Sequence, residues 1–274
     1  MSALDDLMRS RGVAAPFAAA SKPRKRQAAP APDGASRSEQ GKPIYYYDVI
    51  QGTQEWESLR AGVPTASAFD KIVTPGGGRS KSREAYMYKL CAERLLGYAI
   101  EGFKGRAMQR GNEKEPEALN SYMFQRDVEV KLCGFVTNED GTIGASPDGL
   151  VDEDGIVEIK CPEEVSIHMG YLLKSGSPYD SYKVQCNGQL WVMQREWSDV
   201  LSYYPGLPKA VGRIERDEPF ISLMAPLIEE FCVELGALYT QCIANGWAKE
   251  APKPREKTIS EVMAEVLIEA QKGN

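Results

Sequence analysis

The stretch Gly144 to Pro162, GASPDGLVDEDGIVEIKCP, sets carboxylates and a lysine at a spacing that suits phosphoryl chemistry. In Ile156-Val157-Glu158-Ile159-Lys160, apolar and charged residues alternate, and successive side chains of a strand point to opposite faces. Val157 and Ile159 therefore enter one core, while Glu158 and Lys160 project together from the other face. The turn Asp152-Glu153-Asp154-Gly155 uses ordinary hairpin residues, so the strand folds back on the segment ending at Asp148. Asp152 and Asp154 are turn residues on this reading, despite a superficial likeness to a calcium loop. The hairpin brings Asp148 near Glu158, and two carboxylates that close repel unless a proton or cation lies between them. Mg2+, with Mn2+ as a substitute, suits such oxygen ligands and keeps several waters. Lys160 on the same face then orients or deprotonates a water, its pKa lowered by the cation. The set serves phosphodiester hydrolysis. The plain alternative is a surface hairpin with an exposed Glu–Lys pair worth under ~1 kcal/mol.

Other chemistries are poorly supplied. The chain of 274 residues has one histidine, His168, expected to be structural or exposed. Histidine-based metal or acid–base sites are thus disfavoured. Six scattered cysteines form no C-x-x-C pair, and no apolar run is long enough to span a bilayer, so a cytoplasmic protein with reduced thiols is expected. The net charge of −6 argues against a nonspecific nucleic-acid coat. An acidic body still binds DNA if its basic groups line one groove and a metal offsets local carboxylates.

The elements that must position these groups read as follows. Residues 1–42 are rich in Ala, Pro, Ser, Lys and Arg and are expected to be a disordered basic tail; KPRKR (Lys22 to Arg26) within it reads as a solvated segment, a localisation signal or a DNA-touching arm. A globular domain spans 43–250. Thr53 caps a short helix that carries Trp56 and Arg60 and stops at Gly62, and Thr65 or Ser67 caps the next. Thr74 to Ser82 is a basic loop. Helices follow near 83–101 and 106–126, the second with a kink or boundary at Pro116. Strands are expected at 128–137, 143–146 and 156–161, helices near 163–174 and 180–196, strands near 199–204 and 211–216, and a long helix from about 218 to 246. A Pro-containing linker and a C-terminal amphipathic helix occupy 251–274. The class is α/β or α+β, a central mixed sheet flanked by helices.

Pro147-Asp148-Gly149 followed by Glu158-Ile159-Lys160 resembles the PD-(D/E)XK nuclease superfamily. SPDGL with EIKCP is similar to the bacteriophage lambda exonuclease and YqaJ viral recombinase group, and further likeness runs from about residue 50 to 250. The resemblance implies a restriction-endonuclease-like core in which Asp148, Glu158 and the Ile159 carbonyl hold Mg2+ and Lys160 serves the water. WESLRAGVPTAS resembles the segment that holds the 5′-phosphate of a DNA end, which implies that role for Arg60 and Ser67, with Ser146 as a third contact. RGNEKEPEAL implies a further active-site carboxylate at Glu115. YKVQCNGQLWV resembles a helix with a repeated glutamine pattern; Gln185 and Gln189 match it and Asn187 departs. The active-site amide is therefore Gln185 or Asn187, and Asn187 and Gln189 are candidate DNA contacts. Arg79, Lys81 and Arg83 are further candidates, a solvated loop being the alternative.

The activity implied is Mg2+-dependent 5′-to-3′ digestion of linear duplex DNA in phage-type recombination. A homotrimer around the DNA and a single-strand annealing protein as partner are implied with it. Two other readings remain: a CRISPR-associated or helicase-linked exonuclease of the same superfamily, for which the usual four-cysteine iron-sulfur cluster and upstream histidine are missing, and a DNA-end binding module without catalysis.

Overall fold

The computed structural model describes residues 41–100, 106–174 and 180–247; the basic tail, its KPRKR segment and the C-terminal helix expected at 251–274 lie outside the described residues. The elements are β1 (Ile44–Tyr46), α1 (Gln54–Arg60), a 3₁₀ helix (Ala66–Lys71), α2 (Arg83–Leu96), α3 (Arg106–Arg126), β2 (Val130–Lys131), β3 (Phe135–Thr137), β4 (Gly144–Ala145), β5 (Gly149–Val151), β6 (Gly155–Lys160), α4 (Val165–Leu173), α5 (Lys183–Met193), β7 (Trp197–Ser202), β8 (Ala210–Glu215) and α6 (Glu218–Ala244).

Five strands form the larger sheet in the order β2-β5-β6-β7-β8, in which only β6 and β7 run parallel. A second sheet of three strands, β1-β3-β4, lies beside it in the chain. The single strand expected over 128–137 is therefore two strands in two sheets. The break falls at Gly134, where a Cβ would lie 1.9 Å from the Val49 carbonyl oxygen, an approach only glycine permits. The hairpin expected at Asp152–Gly155 is present: Gly149 pairs with Val157 and Val151 with Gly155, and Asp152 takes the left-handed φ of +48° that tight turns favour.

The alternation in β6 divides its residues between two cores. Val157 and Ile159 pack with Ala118 and Tyr122 of α3, whereas Ile156 joins the larger core built from the 3₁₀ helix, α2, α5 and α6. Helix α3 continues through Pro116, without the boundary expected there. Tertiary burial is the reason: Ala118 and Tyr122 are buried, and the Tyr122 hydroxyl donates to Asp199 Oδ2 at 2.9 Å. Asp199 itself is bound by both Arg213 nitrogens across the β7–β8 pair. Thr53 caps α1 as expected, accepting from the Trp56 N–H, but Thr65 precedes the 3₁₀ helix without a side-chain cap bond. The loop from Thr74 is tied down, with Thr74 and Gly78 bonded to one another and Arg79 and Arg83 paired with Glu230 and Glu234 of α6.

Helix α5 is pressed onto the 3₁₀ helix at Gly188, where a Cβ would stand 2.4 Å from the Phe69 ring. Gly188 lies between Gln185 and Gln189, so this contact sets the height of both amides. Gly188→Ala is expected to lower stability by about 1–3 kcal/mol through overpacking, outweighing the ~1 kcal/mol of helix propensity that alanine adds. A urea unfolding midpoint at or above that of the parent would contradict the close approach.

Candidate active site

The site begins where β5 and β6 part. Their last pair is Gly149 with Val157, and one residue beyond it the Asp148 carboxylate takes the place of backbone: Ile159 N–H donates to Asp148 Oδ2 at 2.5 Å. On the face of β6 opposite Val157 and Ile159, Glu158 is buried and Lys160 partly so, with Lys160 Nζ donating to Glu158 Oε1 at 2.6 Å. Helix α5 supplies two further donors. Gln185 Nε2 gives to the same Oε1 at 2.6 Å, and Gln189 Nε2 gives to Oε2 at 2.7 Å. The two glutamines lie four residues apart, on one helix face. Helix α3 brings Glu115 close enough to Asp148 and Glu158 for their charges to interact.

Electrostatics show the strain of this convergence. Burial first, then the charges of Glu158 and Glu115, raise the Asp148 carboxyl well above the usual carboxylate range; the Ile159 N–H and Lys160 offset only part of that. Glu115 is also raised, by burial and by Glu158, with its bond to Asp148 and the Lys160 charge pulling the other way. Burial would lower the Lys160 ammonium, but hydrogen-bonded Glu158 and nearby Asp148 outweigh it and hold the group above its ordinary value. The chain's own carboxylates thus act on Lys160 in the direction opposite to the lowering expected from a cation.

The donor set fits a hard dication. Three carboxyl groups repel one another in a partly buried space, the situation a bound cation or proton relieves, and every donor is oxygen. Among the described residues no three His, Cys, Asp or Glu side chains form a ready cage, and Glu158 Oε1 is turned to Lys160 and Gln185. The fit is to a hydrated ion held by one or two carboxylates, Asp148 and Glu158 with Glu115 beside them, as Mg2+ prefers. Of Ile159, the N–H is the group described in contact with the cluster.

A second cluster adjoins the first. Arg60 Nη1 donates to Ser146 Oγ at 2.8 Å and Nη2 approaches Thr65 Oγ1 at 3.4 Å; Thr65 Oγ1 lies 3.3 Å from the Oγ of exposed Ser67. The guanidinium lies 4.1 Å over the Trp56 ring, and Trp56 Nε1 donates to both Ser146 Oγ and the Gly134 carbonyl at 3.0 Å. Burial lowers Arg60 to about 10, against the weaker upward pull of Tyr86 and Glu93. A partly buried cation whose described hydrogen bonds go to hydroxyls is suited to an anion. Ser146 and Asp148 are two residues apart, at most ~7 Å of chain, so the two clusters share one turn. Gln51 Nε2 fixes that turn through the Pro147 carbonyl at 2.8 Å.

The remaining expected residues lie elsewhere. Gln185, not Asn187, reaches Glu158: Asn187 is fully buried, its Nδ2 on the Lys183 carbonyl and its Oδ1 on the Asp217 N–H. Gln189 is buried too, so neither Asn187 nor Gln189 offers surface to DNA. Arg79 and Arg83 are paired to α6 and Lys81 is exposed beside them, none of them in the carboxyl cluster. His168 is structural, buried between Ser202 Oγ at 2.8 Å and the Pro208 carbonyl at 3.0 Å. The sequence reading missed Trp56 and Thr65 in the arginine cluster, and Tyr182, whose ring Lys160 Nζ overlies at 4.7 Å. Trp56 had a signal: it precedes Arg60 by four residues on one helix, and so shares its face.

A mixed sheet flanked by helices, with carboxyls gathered at a hairpin and a following E-x-K strand, defines a PD-(D/E)XK nuclease-type core. Residues 55–196 match the YqaJ-like viral recombinase domain, and the chain belongs to that family. An alkaline exonuclease from Laribacter hongkongensis is similar in structure, with a TM-score of 0.63 and 32% identity over 72% of this chain and 100% of that one. The same exonuclease in complex with dAMP gives a TM-score of 0.64 at 32% identity. A phage-related exonuclease from Haemophilus somnus 129PT shares the fold at a TM-score of 0.50 and 17% identity, over 67% of this chain and 96% of that one. No curated protein matches the chain. Among the described residues no helix is long and apolar enough to cross a membrane.

The raised carboxyls carry a sign for stability. A carboxyl whose folded pKa lies above its unfolded value destabilises the fold progressively as pH rises from the unfolded pKa to the folded one, and has no such effect below both. Asp148→Asn keeps an acceptor for Ile159 N–H and removes the charge. In metal-free buffer the variant is expected to melt a few degrees above the parent near neutral pH, the gain vanishing as pH falls below the ordinary carboxyl range. Thermal melts in which the variant is less stable at every pH would contradict the crowding.

Proposed function

We propose that the protein is a divalent-metal-dependent exonuclease that degrades one strand of linear duplex DNA from a 5′-phosphorylated end, leaving 3′ single-stranded tails. The observation that carries this reading is the shared turn: Ser146 belongs to an arginine-centred anion pocket and Asp148, two residues on, to the carboxyl cluster. A terminal phosphate held at Arg60 therefore lies one short step from groups suited to hydrolysing a phosphodiester. The dAMP bound to the Laribacter exonuclease supports a site sized for a nucleotide monophosphate.

The roles follow from the atoms. Arg60, stacked on Trp56 and stripped of much of its water, presents its fork to the end phosphate, with Ser146 and Ser67 adding hydroxyl donors. Asp148 and Glu158, with the Ile159 carbonyl, would hold Mg2+, with Mn2+ as a substitute, and Glu115 would assist through water. Such an ion supplies charge neutralisation at the scissile phosphate and a more acidic water. Lys160, kept as an ammonium by Glu158 and Asp148, serves as a hydrogen-bond donor that orients the attacking water. Gln185 holds Glu158 Oε1 from the other side. Lys81 is free to meet the DNA backbone, while Arg79 and Arg83 would first exchange their α6 partners. Similarity to the family supports a homotrimer around the duplex, a single-strand annealing protein as recipient of the tail, and action in the cytoplasm of a bacterial or phage-infected cell.

The test compares Mg2+-dependent digestion of 5′-phosphorylated linear, 5′-hydroxyl linear and circular duplexes. The phosphorylated linear form should be digested fastest and the circle left intact. Lys160→Ala should abolish digestion, and Arg60→Ala should reduce the preference for phosphorylated ends by about 10-fold or more, the loss of a charge-assisted contact of ~1.5–3 kcal/mol. Digestion of circles at the linear rate, or full activity in Lys160→Ala, would contradict the proposal.

A further inference from the structure

The two oxygens of Glu158 are held unequally. Oε1 receives Lys160 and Gln185, both partly exposed. Oε2 receives Gln189 alone, at 2.7 Å, and Gln189 is 1% exposed. We propose that Gln189 is a positioning residue: by sealing Oε2 from within the core it fixes the carboxylate plane and leaves Oε1 as the oxygen available to a cation or water. The inference rests on the nuclease reading of this carboxyl cluster and adds a residue and a handedness to it.

The environment of Gln189 argues that its amide is there for Glu158. The residues that follow it, Leu190 to Met193, are all buried and apolar, and helix α5 packs into the larger core at this level. An apolar side chain would fill such a place without burying an unpaired amide oxygen of its own. Instead, Gln189 Oε1 is buried with no hydrogen-bond partner among the described residues, a situation that costs roughly 1–3 kcal/mol. The amide orientation is not arbitrary, because only the NH2 group can meet a carboxylate, so the orphaned carbonyl oxygen is the consequence of supplying a donor to Oε2. Rotation of Glu158 would break a buried bond that no solvent can replace, whereas exchange at Oε1 leaves the partly exposed Lys160 and Gln185 free to find water. The Gly188 contact with Phe69, one residue away, holds the helix where this bond is made.

The experiment uses the full chain with Gln189→Met, which keeps length and removes the donor, and Gln189→Asn, which keeps polarity and draws the amide back by one methylene. Mn2+ binding is measured calorimetrically without DNA, and kcat and KM for linear duplex are measured across a metal titration. Both variants are expected to bind Mn2+ about 10–100-fold more weakly, with kcat reduced and KM for DNA unchanged. Parent-like Mn2+ affinity in a folded variant would overturn the proposal and leave Gln189 a core residue; a raised KM with unchanged metal affinity would make it a DNA contact. If Gln189→Met fails to fold, Gln189→Asn carries the same comparison. A parent chain that binds no Mn2+ would instead overturn the metal-site reading beneath it.

Discussion

Three carboxyl groups meet where β5 separates from β6, and the surrounding elements hold them against their mutual repulsion. Asp148 is locked by the Ile159 N–H just past the end of the ladder, Glu158 projects from a central strand bounded on both sides, and Glu115 arrives on a helix anchored by Ala118 and Tyr122. Burial first, and then repulsion from the neighbouring carboxylates, raises the Asp148 and Glu115 carboxyls, and a dication would remove the repulsion. The fold thus keeps local destabilisation at the position where chemistry needs charge, a pattern common to functional sites.

The same turn links this charge cluster to one of opposite sign. Asp148 belongs to a negative cluster, and Ser146, two residues earlier, to a pocket centred on a partly buried arginine. Burial strengthens both fields, since water screens neither fully. An acidic chain thus carries, on one turn, a partly buried guanidinium suited to an anion and a carboxyl cluster suited to a cation. The flanking basic residues Arg79 and Arg83 are meanwhile paired to α6, where they hold the loop to the body.

Period-two alternation and turn chemistry are local, and so the β5–β6 hairpin, the shared face of Glu158 and Lys160, and the turn role of Asp152 and Asp154 were legible in the residues. The helical spacing of Gln185 and Gln189 was equally plain. Their destination was not, because the sequence carries no record of which face α5 turns to the sheet; burial decides that Gln189 serves Glu158 and Asn187 serves the start of α6. The division of residues 128–137 between two sheets depends on the contact of Gly134 with Val49, distant in the chain. Pro116 suggested a boundary through local sterics that tertiary packing overrode. The meeting of Arg60 with Ser146 spans 86 residues and was reached only through family likeness, while Trp56, which bridges them, was legible only as a residue of the same short helix.

The central claim is that crowded carboxylates await a dication. The most direct measurement is the shift of the melting temperature on adding Mg2+ or Mn2+ without DNA, since an ion that binds only the folded state stabilises it by mass action. The account predicts a concentration-dependent rise in the parent that is lost when Glu158 is replaced by Gln. No rise in the parent, or an equal rise in Glu158→Gln, would contradict it.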